Sequence, residues 1–202
     1  MKSLKLKVKS LGFTMIELLI VIAVLGVLAV AVLATINPIE QINRGRDTSS
    51  RGDAEQLLSA IDRYNANTGL WPWQDTANDP ADINNGALTK ITLTDPHGSS
   101  CTMLKNLGRN EADQTCPGTD EIKAQFISRI TGSTSNPLWI HYDNVSGHSV
   151  YICFNPQSVA FKKQADDKCA NPPTDYPVAS VCGGNCPTTQ GLGTYGQCVC
   201  LP

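Results

Sequence analysis

The chain has 202 residues, 41% of them hydrophobic and only 17% charged, the composition of a folded protein with room for one ordinary domain and an appended helix. Four of its 16 basic residues (Lys2, Lys5, Lys7, Lys9) stand in the first nine positions, so the chain beyond Gly12 carries 12 basic against 18 acidic residues, a formal −6. No other Lys/Arg cluster exists, and phosphate recognition needs one, so no nucleic-acid partner is expected.

Under the positive-inside rule the basic start stays on the cytoplasmic side of a membrane. It is followed by Ser10-Leu11-Gly12-Phe13-Thr14-Met15-Ile16-Glu17-Leu18-Leu19-Ile20. From Leu18 to Ile36 the only polar residue is Thr35, and a stretch of that length just spans the hydrocarbon. Counted from Phe13, a helix to Ile36 would be about 36 Å long at about 1.5 Å per residue. The segment reads as a membrane helix.

Glu17 is the odd residue, because it lies inside the apolar run. A carboxylate at the bilayer centre costs about 3 kcal/mol on insertion scales, and an intramembrane acid marks a functional site with a partner to be found. Cleavage between Gly12 and Phe13 would supply one: a new α-amine one helical turn before Glu17, able to pair with the acid of a neighbouring chain. Two other readings exist, a secretory signal cut after Ala34, with small Val32 and Ala34 at the site, and an uncleaved anchor. Neither calls for Glu17.

The run Gly12-Phe13-Thr14-Met15-Ile16-Glu17-Leu18-Leu19 closely resembles the signal of type IV pilins and of type II secretion pseudopilins, a resemblance that covers about residues 1–75. It implies that a membrane-embedded prepilin peptidase cuts after Gly12 and N-methylates Phe13, and that Glu17 acts in assembly. It further implies partners in other pilin subunits and an inner-membrane assembly platform. The expected domains are a leader (1–12), a transmembrane or filament-core helix (13–36), its amphipathic continuation (37–68) and a globular Cys-rich head (69–202).

Past Ile36, Asn37-Pro38 predicts a kink in one helix of about 54 residues, since proline removes a helical hydrogen bond. Leu57, Leu58, Ile61 and Tyr64 repeat at helical spacing and should pack on a sheet. Arg44, Arg46, Asp47, Arg51, Asp53 and Glu55 read as a solvated face, with subunit register as the alternative. Asn67 to Gly69 ends the helix. Trp71-Pro72-Trp73 follows, an aromatic–proline junction also similar to pilins, with the tryptophans read as covering a core rather than stacking on a ligand.

Residues 74–118 are rich in loop formers. Asp75, Asp79, Asp82 and Asn84 could offer oxygens to calcium, although their spacing does not match an EF-hand. No other cofactor is expected. Helices are predicted at Thr102–Leu107 and Asp120–Ile130, and a hairpin at Leu138–Tyr142 and Ser149–Phe154 around Asp143 to Gly147. Ser158–Lys162 reads as a short third strand.

All eight cysteines (Cys101, Cys116, Cys153, Cys169, Cys182, Cys186, Cys198, Cys200) lie in the second half. An even number behind a membrane-targeting segment predicts disulfides formed outside the cytoplasm, with connectivity open among 105 pairings. Zinc knuckles are disfavoured, because Cys182-x3-Cys186 and Cys198-x-Cys200 lack ligand spacing and histidine partners. The Pro- and Gly-rich tail from Asn171 should depend on disulfides for its order. His141, Asp143, Ser146 and His148 suggest a hydrolase, but no Gly-x-Ser-x-Gly elbow accompanies them, and no enzyme is expected. Asn144-Val145-Ser146 meets the glycosylation sequon.

The expected architecture is α+β: a long N-terminal helix, transmembrane in its first half and amphipathic in its second, on a small antiparallel sheet with a disulfide-rich C-terminal region. The expected function is a structural subunit of a type IV pilus-like filament, anchored in the membrane before assembly and then part of a surface or periplasmic filament. A pseudopilin of a type II secretion system is the alternative within the class. A Cys-rich adhesin or binding domain that never polymerises is the alternative outside it.

Overall fold

The computed structural model describes residues 12–35, 37–74, 88–93, 101–108, 116, 118–132, 137–143, 145, 147–184, 186–187 and 196–202. The chain divides into two units, Met1–Ile39 and Glu40–Pro202.

In the first unit, helix α1 (Met15–Thr35) is a run of Leu, Ile, Val and Ala with no residue between Met15 and Leu33 buried. Those 19 residues are long and apolar enough to cross a membrane. Helix α1 stops at Thr35 and α2 runs from Pro38 to Thr68, so the helix is interrupted at the expected Asn-Pro position. The reason is local. The Asn37 side chain accepts the Ile39 N–H at 3.2 Å, and Pro38 takes the first helical position, where a missing N–H costs nothing. Asn-Pro here is a cap that begins a helix.

In the second unit, α2 turns Ala54, Leu57, Leu58, Ile61 and Tyr64 into the core at the three- and four-residue spacing of a helix face. It ends as expected: Gly69, at φ +70°, donates its N–H to the Asn65 carbonyl at 2.8 Å. Short helix α3 (Met103–Leu107) starts where expected, with the Thr102 side chain accepting the Lys105 N–H. Helix α4 (Ala124–Gly132) starts four residues later than predicted. Asp120 stands at φ +56°, outside helical backbone, and Ile122 forms a parallel bridge with Gly108 before the helix begins.

The sheet has four antiparallel strands in the order β1 (Thr89–Lys90), β2 (Trp139–His141), β3 (Tyr151–Phe154) and β4 (Val199–Leu201). Strands β2 and β3 are the predicted hairpin, shortened at its ends. β3 is buried along its whole length, and alternation explains how. Ile152 and Phe154 face the core shared with α2, while Tyr151 and Cys153 face a second cluster with Tyr176, Val181 and the tail cysteines.

The predicted strand at Ser158–Lys162 is helix α5 (Val159–Ala170). Ser158 accepts the Phe161 N–H at 3.4 Å, the geometry of an N-cap, and the Ala- and Lys-rich run after it favours helix. A turn of helix, α6 (Val178–Val181), precedes β4. Four disulfides join Cys101–Cys116, Cys153–Cys200, Cys169–Cys182 and Cys186–Cys198. Three of them bind the tail to β3, to α5 and to itself, so cross-linking holds a segment too poor in apolar residues to fold alone. A long apolar N-terminal helix, further helices, an antiparallel sheet and a disulfide-bound C-terminal region make an α+β, pilin-like fold.

Candidate functional site

The chemistry predicted for the N-terminus concerns Gly12, Phe13 and Glu17, and all three are among the described residues. Glu17 lies in the first turn of α1. Its carboxylate folds back toward the chain start. The Thr14 N–H donates to Glu17 Oε2 at 2.9 Å, the Thr14 hydroxyl donates to the same oxygen at 2.8 Å, and the Glu17 N–H donates to Thr14 Oγ1 at 3.3 Å. The Leu18 N–H reaches the Thr14 carbonyl at 3.2 Å, the first helical bond.

This is a reciprocal capping box of the Thr-x-x-Glu kind, in which each side chain satisfies a backbone donor that the helix start leaves open. The negative charge also lies at the positive end of the helix dipole. Sequence reading took Glu17 as an acid without a local partner; the structure gives it Thr14. The signal was present as Thr-x-x-Glu ahead of an apolar run. Gly12 and Phe13 precede the cap, in non-helical backbone, and Phe13 is 84% exposed.

The remaining candidates sort differently. Every cysteine is disulfide-bonded, which leaves no thiolate for zinc. The calcium candidates Asp75, Asp79 and Asp82, with Asn84, lie outside the described residues, as do Asn144 and Ser146 of the sequon. Of the hydrolase group, His141 is buried in β2, while Asp143 and His148 pair across the hairpin turn at 2.6 Å. Burial works against ionisation of Asp143, but the His148 hydrogen bond, the Val145 N–H and the two nearby histidines outweigh it and hold the carboxyl below its usual range. Trp71 stacks on Trp73 with centroids 5.3 Å apart, Tyr142 lies tilted against both, and Trp73 is buried, so the pair covers the core.

The solvated-face reading of the charged stretch in α2 needs correction at Asp47, which is fully buried. Its carboxylate accepts the Gln157 N–H at 2.9 Å, the Ser158 N–H at 2.8 Å and the Ser158 hydroxyl at 2.6 Å, a clasp on the start of α5. Glu40 accepts the next N–H, from Val159, at 3.1 Å. Arg44 and Arg51 remain half-exposed in ion pairs with Glu40 and Glu55, as a solvated face requires.

Residues 7–33 match the family described as the prokaryotic N-terminal methylation motif. The N-terminus is a prepilin-type signal. It is the signal of type IV pilin-like and pseudopilin precursors, and the matched stretch includes Gly12, Phe13, Thr14, Glu17 and α1 as far as Leu33. No curated protein and no solved structure matches the chain.

Proposed function

We propose that this protein is a structural subunit of a type IV pilus-like filament, cut between Gly12 and Phe13 by prepilin peptidase, N-methylated on Phe13 and assembled through α1. The observation that carries the reading is the methylation motif over residues 7–33, with an exposed non-helical junction at Gly12–Phe13 and a membrane-length helix directly after it. Before assembly, α1 anchors the subunit with its N-terminus in the cytoplasm and its disulfide-bonded head on the oxidising side. In the filament the Leu, Ile and Val surface of α1 exchanges lipid for neighbouring helices. Since lipid is as apolar as those helices, burial gives little net drive. Glu17 then supplies direction and register by pairing with the Phe13 amine of a neighbouring subunit.

The test is Gly12→Leu in the full chain. The variant should accumulate in the membrane as uncut precursor and yield no filaments. Normal processing of Gly12→Leu would remove the reading.

A further inference from the structure

We propose that Thr14 is a positioning residue for leader removal: through its capping box with Glu17 it fixes where α1 begins and so keeps the Gly12–Phe13 bond in non-helical backbone. The proposal rests on the reading that this bond is cut, and adds what makes the bond presentable. Cleavage adds water across the amide, leaving a carboxyl on Gly12 and an amine on Phe13. The peptidase must therefore reach the Gly12 carbonyl carbon. In a helix begun two residues earlier, that carbonyl would accept the Ile16 N–H and the bond would lie within the helix wall. No proline in Leu11-Gly12-Phe13 forbids such an extension, and Gly12 is itself a residue type that can cap a helix.

What sets the boundary is the three hydrogen bonds between Thr14 and Glu17, together with the first helical bond from Leu18 to Thr14. The box places the boundary one residue past the junction. Glu17 thereby has a task in the precursor, before any neighbouring amine exists. Both Thr14 donors use Glu17 Oε2, and the same carboxylate would later face a neighbouring subunit, so cleavage and assembly draw on one side chain in sequence.

The test measures cleavage of the full-length precursor in membranes by a prepilin peptidase, for wild type, Thr14→Ala, Thr14→Ser, Thr14→Asn, Glu17→Ala and the Thr14→Ala/Glu17→Ala double variant. Thr14→Ala should lower kcat/KM about fivefold, equivalent to about 1 kcal/mol at 1.4 kcal/mol per tenfold, the size of one helix cap. Ser and Asn, which both cap, should restore the rate to within about twofold of wild type. Glu17→Ala should cost about as much as Thr14→Ala, and the double variant little more than either, because both remove one device.

Three results overturn the proposal. These are wild-type cleavage of Thr14→Ala, a slow Thr14→Asn beside a fast Thr14→Ser (which would mean the peptidase reads the hydroxyl itself), or penalties that add in the double variant. A wild-type precursor left uncut would instead remove the parent reading, and this one with it.

Discussion

Replacing Asp47 with alanine should destabilise the head far more than its place in a charged, polar helix suggests. The carboxylate is fully buried and accepts from two backbone N–H groups and one hydroxyl, at Gln157 and Ser158. Ser158 is itself fully buried and caps α5, so its N–H and hydroxyl are shut off from solvent, while Gln157 lies at the surface. At about 1 kcal/mol for each donor left unsatisfied, the low end of the usual range, three donors cost about 3 kcal/mol. Losing an anion at the start of α5 adds about 0.5 kcal/mol. For a chain of this size such a change lowers the midpoint by roughly 7–14 °C. The assay is thermal unfolding of the full chain in mild detergent, followed by near-UV circular dichroism without reductant. Asp47→Asn keeps one acceptor oxygen and should fall between. A solvated carboxylate would cost within about 0.5 kcal/mol, so a shift of about 2 °C or less would refute the clasp.

Three further outcomes follow from the head. Peptide mass mapping without reductant should recover the four pairs Cys101–Cys116, Cys153–Cys200, Cys169–Cys182 and Cys186–Cys198, and any other pairing contradicts the packing of the tail. Replacing Cys153 and Cys200 together by serine opens a loop of sequence separation 47, worth about 4 kcal/mol in the chain-entropy view. Acid should also loosen one attachment of the tail. The Ser149 N–H, with help from the Tyr151 hydroxyl and against partial burial, holds Asp175 down to about 2 from an ordinary 3.8. Because the folded value lies below the unfolded one, this stability is present above about pH 4 and is lost as pH falls toward 2. Tyr151 reports the loss by near-UV dichroism, and Asp175→Asn should flatten that part of the titration; matching acid curves for variant and wild type would contradict it.

The parts of the fold legible in the sequence are those whose cause is local. An unbroken apolar run gives α1, Thr102 gives α3 its cap, and alternating apolar residues around a turn give the β2–β3 hairpin. The strand predicted at Ser158 failed because Val159, Ala160 and Phe161 suit either state over five residues, and the capping serine decides for helix. Strands β1 and β4 have two and three residues, too few to carry a period, and exist only because β2 and β3 offer edges and Cys200 is tied to Cys153. Asp47 was unreadable for a stronger reason: its partners lie about 110 residues away, so its charge looked like surface. At the N-terminus the reverse happened. Thr14 and Glu17 spell a capping box within four residues, yet an acid inside an apolar run also implies a partner outside the chain, and the two readings compete for one carboxylate.

The central claim is that Phe13 becomes the first residue of the working protein. Mass spectrometry of the N-terminal peptide, from protein purified out of cells that make it, tests that claim directly. The account predicts a peptide beginning at N-methylated Phe13, with residues 1–12 gone. A peptide that retains the leader, or one that begins at Thr35 after a cut at Ala34, would contradict it.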